Sequence, residues 1–227
     1  MKIAVLSDAH GNAFFFQKCI NEIHRHKVSD IFFLGDCYGY MRDGDHILTM
    51  LRKMDAQVLL GNHEAMLLGR LPYDLQKEEI YGLKKDRENI SNSNQEFIKG
   101  LLPEKITEIE GIKILFVHGR PDDPLNGYLY ENDKLYEWKQ LEYDFVFMGH
   151  THYPYIKKIG CTTYVNVGSC GLPRDEGTSP SYAIFDTQTR EVLIHRHKIE
   201  KEELINIPLQ NVHQQVYKCL MRERNSR

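Results

Sequence analysis

No stretch of this 227-residue chain approaches the roughly 20 consecutive apolar residues that a bilayer-spanning helix needs. A membrane role is therefore not expected. The opening MKIAVLSDAH has too few apolar positions for a signal peptide before its first acidic residue. The five cysteines (Cys19, Cys37, Cys161, Cys170 and Cys219) are odd in number and form no C-x-x-C pair. That usage suits a reducing cytosol, with the thiols as small buried groups, so a cytoplasmic location is expected. The formal net charge of −3 supplies no global basic field, which disfavours non-specific nucleic-acid binding; any such contact would be local. Internal repeats and low-complexity linkers are also missing.

What remains is an ordinary globular composition, with 41% hydrophobic and 27% charged residues. That length fits a single domain over residues 1–227, with room for a small insert. Short apolar runs at 3–6, 31–34 and 58–60 each end in a polar or Gly-containing turn. Between them, 13–26 and 45–54 carry apolar residues at helical spacing, as in Phe15, Cys19 and Ile23. This reads as βαβαβ with buried parallel strands. Further strands are expected at 112–117, 145–148, 162–167, 182–185 and 192–198, with hairpin turns at Gly160 and 187–189. The pattern predicts an α/β start, a more antiparallel later portion, and two packed sheets. Residues 73–105 read as a helical insert over one edge of the core. The tail, 200–227, ends in a helix from Leu209 to about Arg224.

Chemistry-bearing residues recur directly after the apolar runs. Asp8 and His10 form D-x-H after the first, and Asp36 follows the second in LGDCYG. Asn62 and His63 lie in the G-N-H-E that ends the third. His118 closes ILFVHG, and His150 with His152 forms G-H-T-H after FVFM. Carboxylate, imidazole and amide oxygen are all cation ligands, and strand ends on one edge of an α/β sheet are where ligands gather. One such turn means little; five of them point to a shared metal site. Arg42, Arg120 and Arg174 flank these loops and are candidate phosphate-gripping groups, since guanidinium matches phosphate geometry. His24, His26, His46, His195 and His197 are read as solvated, His213 as part of the tail helix, and Cys37 as a buried thiol.

In this order, D-x-H, G-D, G-N-H-E, H-G and G-H-T-H resemble the calcineurin-like metallophosphoesterase superfamily over about residues 1–186. The stretches SDAHGN, GDCYGY and NVGSCGLPRD add to the likeness, which is nearest to the prokaryotic branch of small phosphodiesterase-like members. The resemblance implies a four-layer α/β/β/α sandwich of two mixed sheets, with a small helical insert. It implies a first metal on Asp8, His10 and His152, and a second on Asn62, His118 and His150. Asp36 would bridge the two, and His63 would stand near the leaving group. Two divalent ions follow: manganese by resemblance, with iron, nickel, cobalt or zinc also compatible with nitrogen and oxygen donors lacking a thiolate.

The implied reaction is hydrolysis of a small phosphate-ester substrate, a phosphodiester in preference to a monoester, by a hydroxide held between the ions. Met41-Arg42 stands where close relatives often have Gly-Pro, and Val167 where Pro commonly precedes Gly-Ser. Both bear on the substrate cleft rather than on the metals. A protein or dinucleoside polyphosphate phosphatase is an alternative, weakened because the second motif reads GDCYGYMR instead of G-D-x-V-D-R-G. A non-catalytic metal-binding scaffold of the same fold is another, weakened by the presence of His63 and all seven ligands. Oligomeric state is not legible.

Overall fold

The computed structural model describes residues 1–73, 75–134, 141–207 and 212–223. Strand β1 (Lys2–Leu6) is followed by helix α1 (Ala13–Arg25), strand β2 (Asp30–Phe33), helix α2 (Gly44–Lys53) and strand β3 (Gln57–Val58). Asn12 starts α1 by accepting the Phe15 N–H at 3.1 Å, a side-chain cap for an otherwise unpaired donor. Phe16, Cys19, Ile20 and Ile23 then recur on one face of the helix and are buried. β1, β2 and β3 pair in parallel, as the βαβαβ reading requires.

Strands β9 (Ser181–Asp186) and β10 (Glu191–Arg196) add antiparallel to the free side of β1, giving the order β10-β9-β1-β2-β3. The second sheet has β4 (Glu104–Ile109), β5 (Ile112–Val117), β6 (Phe145–Met148), β7 (Tyr155–Ile159) and β8 (Thr162–Asn166) in the order β4-β5-β6-β8-β7. The two sheets pack face to face through Ile3, Val5, Phe32, Phe116, Phe147, Val165 and Phe185. Phe32 of one lies flat on Phe116 of the other, with ring centroids 4.0 Å apart. The opposite face of the first sheet, with Ala4, Leu6, Ile31 and Phe33, is covered by the apolar faces of α1 and α2. These are the two mixed sheets of the expected α/β/β/α sandwich.

Several sequence expectations change. β4 and β7 went unread because each is an edge strand with polar residues interleaved, as in EKITEI and YIKKI. The later portion is less antiparallel than expected, since β5, β6 and β8 run parallel to one another. Their fully buried runs, such as FVFM, are what strands buried on both faces look like. The third run ends as a strand at Val58 and turns directly into a helix, α3 (Asn62–Leu67), which was not anticipated.

Within 73–105 the chain forms a 3₁₀ turn (Leu75–Lys77) and the short helices α4 (Glu78–Tyr81), α5 (Leu83–Asn89) and α6 (Asn92–Lys99). They are tied down, not merely solvated: Asn94 is buried and donates to the Asp45 carboxylate on α2 at 2.8 Å. In the tail, a 3₁₀ segment (Lys201–Asn206) precedes helix α7 (Gln214–Leu220), which buries Val216 and Leu220 against Phe15, Met41 and Leu172. The expected start of that helix at 209–211 and its end at 224 fall outside the described residues. No described helix is long and apolar enough to cross a membrane.

Candidate metal centre

The tight turns after β1, β2 and β6 carry five of the seven expected ligands in a backbone conformation that L-residues rarely adopt. Asp8 (φ 58°), His10 (48°), Asp36 (64°), His150 (63°) and His152 (62°) all have positive φ. Such left-handed residues outside glycine cost free energy, and they cluster where the surroundings fix them for a function. Here the loops zip together. Asp8 N–H donates to Gly35 O at 3.0 Å, His10 N–H to Asp36 O at 3.0 Å, and His150 N–H to Asp8 Oδ2 at 2.9 Å. Asn62 and His63 open α3, and the His63 N–H donates to Asp36 Oδ1 at 2.9 Å. His118 ends β5.

All eight sequence-predicted residues, Asp8, His10, Asp36, Asn62, His63, His118, His150 and His152, are thereby brought together and buried. Three overlapping groups have ligand atoms close enough to share a cation: Asp8–His10–His152, His10–Asp36–His63 and Asp36–His118–His150. Asp36 belongs to two of them. Its Oδ2 lies 3.6 Å from His10 Nε2 and 3.5 Å from His118 Nε2, between the two halves of the cluster.

The donor bookkeeping tests whether cations fit. His10 Nδ1 bonds the Tyr38 carbonyl (3.0 Å), His118 Nδ1 that of Leu34 (2.9 Å), and His152 Nδ1 that of Leu172 (2.6 Å). A carbonyl can only accept, so Nδ1 carries a proton in each ring, and in the neutral form of the ring Nε2 presents a lone pair. His10 Nε2 faces His152 Nε2 at 3.1 Å, and His118 Nε2 faces Asn62 Oδ1 at 3.0 Å. His152 Nε2 and Asp8 Oδ1 are 3.3 Å apart.

Lone pair meets lone pair with no proton to share, an arrangement that repels unless a cation lies between. The 3.0–3.7 Å spacings match ligand atoms roughly 3.0–3.5 Å apart around an ion with bonds of about 2.1 Å. Backbone carbonyls holding the outer ring nitrogen are also the usual support for imidazole ligands. Asp8 Oδ1, His150 Nε2 and His63 Nδ1 are buried without any hydrogen-bond partner among the described residues. The residues present fit divalent ions.

The electrostatics agree. Burial lowers the histidine pKa values to about 4 at His118 and about 3 at His150 and His152, so these rings are neutral at pH 7. Burial, reinforced by the charges of Glu64 and Asp8, pushes Asp36 well above the usual carboxylate range. Neutral imidazoles and crowded carboxylates in one dry cage are a donor set that suits a divalent cation. His63 is also held below its ordinary value, first by burial and then by His10 and His118. Cys37 is fully buried and its thiol is pushed up, consistent with an inert packing role.

The three arginines separate. Arg174 turns toward the centre, its Nη2 3.5 Å from the Tyr40 hydroxyl and its side chain hydrogen-bonded to Tyr128. Arg42 is exposed and donates to the Gly82 carbonyl in the insert (3.0 Å), while Arg120 bonds Asp122 (2.5 Å). Among the histidines read as solvated, His195 is half-buried, stacked on Tyr182 with centroids 5.3 Å apart.

Sequence reasoning missed the supports. Glu64 is buried and its carboxylate accepts backbone N–H groups from Asp36 (2.8 Å), Cys37 (2.6 Å), Tyr38 (3.3 Å) and Gly61 (3.0 Å). Asp86 accepts the Gly39 N–H at 2.8 Å, and the Ser169 hydroxyl donates to the Asp8 carbonyl at 2.6 Å. Tyr40, another positive-φ residue (62°), packs its ring edge-on to His10 at 4.6 Å. Glu64 and Ser169 lay inside the quoted motifs; nothing near Asp86 in sequence marks it.

A model of the calcineurin-like phosphoesterase superfamily domain matches residues 1–190. An uncharacterised protein of Methanocaldococcus jannaschii is 30% identical over 214 residues, spanning 86% of each chain. The fold is shared with a hypothetical protein of Pyrococcus horikoshii (TM-score 0.82, 19% identity, 97% of each chain covered). It is shared too with a metallophosphoesterase of Sphaerobacter thermophilus (TM-score 0.77, 21% identity, 97% and 98% covered). A two-sheet α/β sandwich with imidazoles and carboxylates converging at its strand ends defines a class of metal-dependent phosphoesterases. This chain belongs to the calcineurin-like phosphoesterase superfamily.

Proposed function

We propose that the protein hydrolyses a small phosphate ester, a phosphodiester in preference to a monoester, at a dinuclear centre. Asp8, His10 and His152 hold one ion, and Asn62, His118 and His150 the other, with Asp36 between them. The observation that carries this reading is the set of imidazole Nε2, amide-oxygen and carboxylate-oxygen atoms facing one another at 3.0–3.7 Å. Two divalent ions there, manganese first among manganese, iron, nickel, cobalt and zinc, supply charge neutralisation and a water of lowered pKa.

The chain's own groups do the rest. His63 lies beside the cluster, its ring 4.7 Å from that of His10, and its Nδ1 has no protein partner among the described residues. It offers an N–H to the departing oxygen. The bare pocket disfavours its protonated form, and the negative charge of a bound phosphate works in the opposite direction. Arg174 is poised to grip a non-bridging phosphate oxygen, with Tyr40 and Tyr128 holding the guanidinium in place. Glu64 fixes the Asp36 loop through its four N–H bonds. The single domain 1–227 and the cytoplasmic location belong to the same proposal; the diester preference rests on resemblance.

The test is hydrolysis of bis(4-nitrophenyl) phosphate and 4-nitrophenyl phosphate by chelated protein resupplied with Mn²⁺, with Asp36→Asn alongside. Metal-dependent release lost in Asp36→Asn supports the reading, and the ratio of the two rates assigns diester or monoester. Folded protein that binds two ions and releases nothing would overturn hydrolysis and leave a scaffold.

A further inference from the structure

A cavity of about 480 Å³ opens beside the centre, between α4 and α7. Tyr40, Tyr81 and Arg174 border it, and the same residues reach the candidate metal site. The ring of Tyr81 lies 4.8 Å from that of His63, and that of Tyr40 lies 5.0 Å from it. Its lining also includes Lys77, Lys218 and Arg222, and the described lining residues include no carboxylate. With 32 acidic against 29 basic side chains, the chain as a whole leans the other way. Four cations without an acid are therefore a local concentration of positive charge.

These cations come from separate segments that the fold draws together. Lys77 precedes α4 and lies over the Tyr81 ring at 5.9 Å. Lys218 is on α7. Arg222 donates to the Arg174 carbonyl at 2.5 Å, which fastens the tail to the loop bearing the inward arginine. Aromatic faces and cations lining one cavity suit a ligand that carries both a flat ring and an anion. The volume is that of a nucleotide-sized group, several times more than a lone phosphate requires.

We infer that this cavity receives a nucleoside phosphate portion of the substrate, so that the ester cleaved at the centre carries a second phosphate gripped by Lys77, Lys218 and Arg222. The inference rests on the phosphoesterase reading and names its substrate class. In the reaction, a water oxygen bonds to the scissile phosphorus, the ester P–O bond breaks, and the departing oxygen takes up a proton. The second phosphate is bound and unchanged.

Two substrates with one scissile bond test it: the 4-nitrophenyl ester of thymidine 5′-phosphate, with and without a 3′-phosphate. From either, 4-nitrophenolate leaves and the nucleotide keeps the phosphorus. The 3′-phosphate is expected to raise kcat/KM at least about tenfold, mainly through KM, as a charged hydrogen-bond contact does. In the double variant Lys77→Ala/Lys218→Ala, altered only at exposed positions, that ratio should collapse toward one.

Calorimetric titration of metal-free protein with thymidine 3′,5′-bisphosphate and thymidine 5′-phosphate separates this from hydrolysis. Tighter bisphosphate binding that the double variant loses supports the cavity even if no ester is cleaved; the hydrolytic reading alone then falls. Equal binding of the two nucleotides, or an equal loss for both substrates in the variant, overturns the inference.

Discussion

Asp36 and Glu64 hold each other's loops: the Asp36 N–H donates to Glu64 Oε2 at 2.8 Å, and Asp36 Oδ1 accepts the N–H of His63, Glu64's neighbour, at 2.9 Å. One buried carboxylate therefore faces the candidate ions while a second, just behind it, gathers the backbone that aims it. Glu64 bonds four N–H groups, all buried. Its carboxyl is nevertheless raised by burial, which those bonds offset only in part.

Removing this support should be costly. Glu64→Ala leaves four buried donors unpaired and is expected to lower stability by about 3 kcal/mol or more. Glu64→Gln keeps one acceptor oxygen and should lose about 1–3 kcal/mol, together with much of the metal affinity. Urea unfolding of the chelated protein and metal titration by calorimetry would read both. Unaltered affinity in a folded Glu64→Gln variant would remove the orienting role.

His63→Ala should keep both ions and lose turnover by roughly 10²–10⁴-fold, the usual contribution of a positioned proton donor. Metal content by elemental analysis and kcat on the nitrophenyl diester would be measured together. An unchanged kcat refutes the role of His63, and lost metal would move it into the ligand set.

Gly39 places that histidine. It has φ +86°, and a Cβ on it would overlap His63 Nδ1. Gly39→Ala should therefore cost about 1–3 kcal/mol of stability through backbone strain and displace the ring. The prediction is a fall in kcat with metal content maintained. A variant as stable and active as the parent would show that the ring has room to spare.

Asp86 makes a pH signature. Burial pushes its pKa up to about 6 from the ordinary 3.8, although the Gly39 N–H and the charge of Arg42 pull the other way. A folded value above the unfolded one means that the folded state binds the proton more tightly. Its contribution to stability is thus present in full below about pH 4 and is lost as pH rises through 6. Asp86→Asn can still accept from Gly39 and does not titrate, so it should gain on the parent between pH 4.5 and 7. Unfolding free energies of chelated parent and variant at several pH values would show this, and a constant difference across the range would contradict it.

The sequence by itself determined the family, the two mixed sheets and the eight polar residues of the cluster. Each of those residues lies in the turn after an apolar strand or, for Asn62 and His63, at the start of the helix that the turn opens, and a buried strand can be read from a handful of adjacent side chains. The cluster needs contacts across 142 residues, as between His150 and Asp8, yet its members announce themselves locally because each lies within a few residues of a strand end. Edge strands β4 and β7 were hidden because half their residues face water. Only the tertiary structure decided which arginine turns inward, since Arg42, Arg120 and Arg174 look alike in their motifs. Likewise, no local pattern brings Lys77 to Lys218 or the Glu64 carboxylate to the Asp36 loop. Strand burial is written in neighbouring residues, whereas the choice of partner for a long polar side chain depends on what the folded chain places within a few ångströms of it.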